Sequence, residues 1–231
     1  RTPEGGVWSL AYEPSAAQAL QEQAERLPEI ERPMILQGDL LQLPDLLSAR
    51  GDEAVRFDTV VGRNVLTRCA DKAAALASAR SHLRPAGRLV LAEIVPRQGQ
   101  RLSALVDLSA LDDEIATRLC EAEAELYQSP HDARVNWDVP ELEGVLSEAG
   151  FEVQRPLICE AQEEERLITG AHLTRWFAAR PPAGSASYGS QLLTRLRPEE
   201  LPQVEACFRR QLEDQIVPWR TVIVYVAASA A

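Results

Sequence analysis

Four short apolar runs punctuate the first part of the chain: Val7-Trp8-Ser9-Leu10-Ala11-Tyr12, Met34-Ile35-Leu36, Phe57-Asp58-Thr59-Val60-Val61-Gly62 and Arg88-Leu89-Val90-Leu91-Ala92-Glu93. Runs of this length bounded by turn residues read as strands, and the longer stretches between them read as helices. Strand and helix in alternation specify a mostly parallel sheet, because parallel neighbours need a crossover long enough to return to the starting edge. The punctuation agrees. Glu13-Pro14-Ser15 opens a helix over 16–27, and the segment from Pro28 to Pro33 ends it. Gly38-Asp39 closes the second strand, Asp71 is placed as the N-cap of a helix reaching Leu83, and Pro85-Ala86-Gly87 stops that helix. The continuous apolar character of the fourth strand suits a sheet covered on both faces.

Further on, Leu102, Leu105, Leu108, Leu111 and Ile115 recur at three- and four-residue steps, so 98–137 reads as an amphipathic helical insertion that ends in a loop with Pro130 and Asn136-Trp137-Asp138. A helix over 139–149 then leads through Gly150 into the strand Phe151-Glu152-Val153. The segment 180–190, rich in Pro, Gly and Ser, reads as a loop or linker. A helix over 198–215 and a β-branched strand over 221–227 complete the chain, which is taken as one domain over 1–231.

Charge narrows the function. Lys and Arg number 24 against 35 Asp and Glu, a net charge of −11, with no basic cluster. A face that neutralises phosphates is therefore not expected, nor direct nucleic-acid binding. No apolar stretch approaches the roughly 20 residues that span a bilayer, so a cytoplasmic protein without membrane contact is expected. Cys69, Cys120, Cys159 and Cys207 are scattered, with no Cys-x-x-Cys pair and no nearby His, and read as buried thiols rather than metal ligands.

In open α/β sheets, ligands sit beyond the carboxyl ends of the strands. The residues there are Glu13, Asp39 with Leu40, Gly62-Arg63-Asn64, and Glu93. A carboxylate carries only acceptor sites, so Glu13 suits a ribose diol and Asp39 an exocyclic purine amine. The competing reading makes both of them cap or turn carboxylates. Arg63 and Asn64 are read either as substrate contacts or as a helix start capped by Asn64. Tyr127, Trp137 and Trp176 are read either as walls of a small-molecule pocket or as core.

The order of Glu13, Gly38-Asp39, Phe57-Asp58-Thr59-Val60, Leu83-Arg84-Pro85-Ala86-Gly87-Arg88-Leu89, Ala149-Gly150-Phe151 and 221–227 resembles a class I S-adenosylmethionine-dependent methyltransferase. The resemblance implies a Rossmann-like α/β sheet and S-adenosylmethionine as cofactor. Glu13, Asp39, Leu40, Gly62, Arg63 and Asn64 would contact the cofactor, and Trp137 and Tyr127 the substrate. It also implies a strand order in which 34–36 pairs with 7–12, a gap follows, and then come 57–61, 88–93, 221–227 and 151–153, with 221–227, the last strand of the chain, antiparallel. The family's first strand and Gly-rich loop are expected to precede Glu13, so the chain reads as N-terminally truncated. Asn136-Trp137-Asp138 and Leu173-Thr174-Arg175-Trp176-Phe177 are similar to the C-terminal domain fused to RarA/MgsA-type AAA ATPases, which would place an ATPase upstream. Two functions remain open: a methyltransferase of unassigned acceptor, and a non-catalytic interaction module on a replication/recombination ATPase.

Overall fold

The computed structural model describes residues 5–154, 156–178 and 186–230. In chain order the elements are β1 (Trp8–Ala11), α1 (Pro14–Ala24), β2 (Met34–Gln37), α2 (Leu43–Ser48), β3 (Phe57–Arg63), α3 (Lys72–Ser81), β4 (Leu83–Ile94), α4 (Asp113–Leu126) and α5 (Val139–Glu148). They continue with β5 (Phe151–Val153), β6 (Ile158–Ile168), α6 (Gly170–Trp176), α7 (Tyr188–Leu192), α8 (Leu201–Leu212) and β7 (Gln215–Ala230). The chain divides into two compact units, one of 1–93, 140–158 and 225–231, the other of 94–139 and 159–224.

The first unit holds β1 to β3, β5, nearly all of β4 and the C-terminal end of β7. β1 and β2 pair in parallel, Trp8 opposite Met34 through Ala11 opposite Gln37. β3 pairs in parallel with β4, and the larger sheet runs β3-β4-β7-β5, with β5 antiparallel to β7. This is the expected order, gap included: β1 and β3 do not pair, and the two sheets meet through the edge-to-face contact of Trp8 and Phe57, ring centroids 6.1 Å apart. Leu36, Leu43 and Leu47 form a small core with those rings.

Several boundaries differ from expectation. β4 begins at Leu83, not Arg88: residues 84–87 form a bulge in which Ala86 takes φ 58°, so α3 ends at Ser81. β4 is covered on one face only. Leu89, Leu91 and Glu93 are buried, whereas Val90 is 40% and Val61 of β3 74% exposed.

The second unit packs around Leu119, Ile168, Leu173, Leu192, Val204 and Phe208. Here the expected insertion over 98–137 is helical only along α4. Residues 103–105 and 108–110 are 3-10 turns: the Glu123 carboxylate takes the Leu102 amide at 2.7 Å before the first, the Asp107 carboxylate takes the Ser109 amide at 2.9 Å in the second, and Asp112 starts α4 by taking the Glu114 amide at 2.9 Å. The leucine periodicity still serves packing: Leu102 and Ile115 are buried and Leu105, Leu108 and Leu111 lie against the core. Of the expected linker over 180–190, residues 180–185 lie outside the described residues, and 188–190 belong to α7, capped by the Ser187 hydroxyl. The segment after β5 carries β6, an exposed Glu-rich strand paired with β7, which the sequence pattern did not indicate. Cys69 and Cys207 are buried, but Cys120 and Cys159 are exposed, contrary to the expectation for all four.

Candidate functional site

The chain turns sharply after each of β1, β2 and β3, and each turn has a local cause. Glu13 has extended backbone (φ −81°, ψ 131°) and Pro14 fixes the first turn of α1, so Glu13 stands exposed between strand and helix, its side chain not capping that helix. After β2, Gly38 adopts φ 154°, a backbone conformation that strains residues with a Cβ, so glycine is favoured there. The Asp39 carboxylate accepts the Gln42 amide at 3.1 Å while the Asp39 amide donates to the Gln42 side-chain oxygen at 3.1 Å. Asp39 is thus a turn carboxylate as well as a residue at a strand end.

After β3 the chain passes from Gly62, where a Cβ would meet Val65 at 2.9 Å and Leu91 at 3.0 Å, into Asn64 at φ 53°. Asn64 caps no helix. Its amide donates to the Ala92 carbonyl at 3.0 Å and its carbonyl accepts the Thr67 hydroxyl at 2.9 Å. The N-cap of α3 is Asp71, as expected, its carboxylate taking the Ala74 amide at 2.8 Å.

These turns surround a cavity of about 490 Å³ whose inner wall is apolar, with Trp8, Leu10, Leu36, Phe57 and Val60, and whose mouth carries Tyr12, Asp39, Leu40, Gly62, Arg63 and Asn64. Five of the six residues placed at a cofactor by the sequence, Asp39, Leu40, Gly62, Arg63 and Asn64, line this one cavity, and Glu13 follows its lining residue Tyr12. The aromatic pair Trp8 and Phe57 carries no site signal in the sequence, since an aromatic in a strand reads equally as core.

Behind the mouth lies Glu93, fully buried, its carboxylate accepting the amides of Val65 at 2.9 Å and Leu66 at 3.2 Å. Burial pushes this carboxyl up to about 7, against the backbone hydrogen bonds and Lys72, which favour the charged form. The sequence places Glu93 at a strand end, and strand parity indicates its burial, because it follows Leu89 and Leu91 on the same face.

Tyr127 and Trp137 belong to the second unit. Tyr127 lines a separate polar cavity of about 470 Å³ with Arg97, Arg101, Gln128 and Asp138, and the Arg101 guanidinium lies 3.6 Å from its ring centroid. Trp137 is buried, 2% exposed. Among the described residues no three His, Cys, Asp or Glu side chains are grouped to hold a metal, and no helix is long and apolar enough to cross a membrane.

Among solved structures, a candidate methyltransferase of Bacillus halodurans C-125 superposes on this chain with a TM-score of 0.53 at 14% identity, covering 98% of this chain and 83% of that one. The fold is the Rossmann-like fold of class I methyltransferases. The YcgJ protein of Bacillus subtilis is also similar, with a TM-score of 0.46, 13% identity and coverage of 97% and 82%. So is the plantazolicin methyltransferase BamL, solved with S-adenosylhomocysteine, with a TM-score of 0.44, 9% identity and coverage of 98% and 68%. The fold assignment rests on the first of these. No protein-family model and no curated protein matches the sequence.

Proposed function

We propose that this chain is an S-adenosylmethionine-dependent methyltransferase-like domain with its cofactor cavity at the ends of β1, β2 and β3. What supports the reading is the convergence of Asp39, Leu40, Gly62, Arg63 and Asn64 on one cavity, with Glu13 beside it. In this proposal the Glu13 carboxylate accepts both hydroxyls of the ribose diol, Asp39 accepts from the adenine amine, and Leu40 lies against the base. Gly62, Arg63 and Asn64 close the mouth. The cofactor, when bound, supplies an electrophilic methyl group. Tyr127, on the polar cavity of the second unit, is the residue proposed for acceptor contact, and the buried Trp137 is left to the core reading.

The proposal extends to what fills the gap. Among the described residues β1 and β3 each have one strand partner and flank the apolar cavity, while the exposed side of β3 and β4 opens onto a second apolar cavity of about 670 Å³ lined by Val61, Val90, Ile158 and Tyr225. Parallel sheets are normally covered on both faces. One strand in the slot, taking the apolar part of that cavity between β1 and β3 and leaving the part beside Asp39, Gly62 and Asn64 to the cofactor, followed by a helix on the open face, would satisfy both, and its strand-to-helix turn would supply backbone N–H groups to the cofactor's methionine part. In this reading that unit is encoded upstream, behind a RarA/MgsA-type AAA ATPase, in a cytoplasmic protein.

Calorimetric titration with S-adenosylhomocysteine tests this on two forms, the 231-residue chain and the same chain extended upstream in its reading frame. Micromolar binding is expected in the extended form, and binding weaker by at least about tenfold without the extension, the effect of losing two or three hydrogen bonds. Binding by neither form overturns the cofactor reading. Equal affinity overturns the filled slot.

A second reading, a non-catalytic interaction module, has one observation in its favour. The loop after β3 reads Gly62-Arg63-Asn64-Val65-Leu66, without the Asn-Pro-Pro-Tyr type of sequence used for amino-nitrogen methylation. Cofactor binding with no methyl transfer to any supplied acceptor would favour it.

A further inference from the structure

We infer that Glu93 is a positioning residue for the cavity: it fixes the loop after β3 as one wall of the ligand site. The inference rests on the cofactor reading for the identity of the ligand, but its geometric part stands by itself. Arg63, Asn64 and Val65 line the cavity, and the loop they form is held at both ends from behind. At one end the Glu93 carboxylate accepts the amides of Val65 and Leu66. At the other, the nearly buried Lys72 ammonium donates to the Cys69 carbonyl at 3.1 Å.

Within the loop, the Asn64 amide donates to the Ala92 carbonyl and the Asn64 carbonyl accepts the Thr67 hydroxyl, so the amides of Val65 and Leu66 are the ones left for Glu93. Asn64 occupies the left-handed region at φ 53°, which is uncommon outside glycine and which Asn enters most readily, so the chain turns sharply just before the two amides that Glu93 holds. Val65 in turn packs close over Gly62, where a Cβ would lie 2.9 Å from it. A fully buried carboxylate is a costly way to satisfy two backbone amides, since either could face water in a looser loop. Its effect is geometric: it pins the chain at the point where β3 hands over to the cavity mouth.

The test uses Glu93→Met, which keeps the volume and removes the acceptors, and Glu93→Gln, which retains one accepting oxygen. Amide hydrogen exchange is read at Val65 and Leu66 and, as a reference, at Leu89 and Leu91 of β4. Exchange in Glu93→Met is expected to accelerate by about tenfold at the loop amides relative to the β4 amides, the factor carried by one buried hydrogen bond, and Gln, whose carbonyl oxygen still accepts, is expected to restore most of it. In the form that binds S-adenosylhomocysteine, Glu93→Met is expected to weaken binding by about the same factor and Gln by less. Should Glu93→Met fail to fold, Glu93→Gln is read alone, with a faster loop at unchanged β4 exchange as the expected result. Equal acceleration at loop and β4 amides makes Glu93 a general stability residue and overturns the inference, as does a loosened loop with unchanged affinity. If the wild type binds no S-adenosylhomocysteine in either form, the cofactor reading falls, and loop-specific exchange still decides the geometric statement.

Discussion

Glu93 gives a pH signature with a definite sign. Its folded-state value, raised from 4.5 to about 7, means that the native state holds a proton which the unfolded chain releases. The stability it confers is fully present below pH 4.5 and is lost as the pH rises through 7, a span worth about 3 kcal/mol. Lys72 and the Cys69 thiol are the ionisable groups felt there, and neither reverses the direction. Denaturant midpoints from pH 4.5 to 8 are expected to fall less steeply in Glu93→Gln than in the wild type; parallel curves would show that Glu93 does not titrate in this window. At the cavity mouth, Glu13→Gln in the extended form is expected to weaken S-adenosylhomocysteine binding by roughly 1.5–3 kcal/mol and Asp39→Asn by nearer 1 kcal/mol, because a carboxylate accepts two hydroxyls in charge-assisted bonds and Asp39 makes one bond. Calorimetry on the two variants compares them directly. Unchanged affinity in Glu13→Gln with lowered thermal stability would return Glu13 to the role of a turn carboxylate.

At the scale of the element, the caps foreseen from sequence carry measurable stability. Asp71→Ala removes the acceptor for the Ala74 amide and is expected to cost about 1 kcal/mol, with Asp71→Ser recovering most of it in chemical denaturation. In the second unit, Phe208 of α8 is fully buried, with the rings of Phe177 and Tyr188 at 5.4 and 6.1 Å. Phe208→Ala is expected to lower stability by roughly 3–5 kcal/mol, the cost of lost burial plus the cavity left behind. Elements were legible where pattern and punctuation agreed, as for β2, β3, β5 and α5. They were not where a long-range partner decides. β6 carries Glu160, Glu163, Glu164 and Glu165 and no apolar alternation, and it is a strand because β7 offers its edge. A periodic leucine ladder likewise implied one helix before Asp113, but Asp107 and the buried Glu123, which accepts the Leu102 amide at 2.7 Å, hold the backbone in turns.

For the whole molecule, the open slot and the open face make one expectation that separates the two forms of the chain. Val61 is 74% exposed, so Val61→Lys in the 231-residue chain is expected to change stability by no more than about 0.5 kcal/mol. In the extended form the same change would bury a charge under the added helix and lower the thermal midpoint by several degrees. Equal effects in the two forms would count against a helix on that face.

The alternation of short strands with helices, the glycine at the end of β2, the cap at Asp71 and the order of the family-like segments are local properties, carried by neighbours in sequence, and they determined the fold class and most of the cavity mouth. Which strands lack a partner, that Val61 and Val90 face a cavity rather than a helix, that 158–168 is a strand, and that a glutamate in an apolar run anchors a loop some 27 residues away in sequence are decided only by tertiary structure. The reason is that pairing, burial and the ionisation of a buried group depend on what stands opposite, and the linear pattern of one segment does not contain its partner.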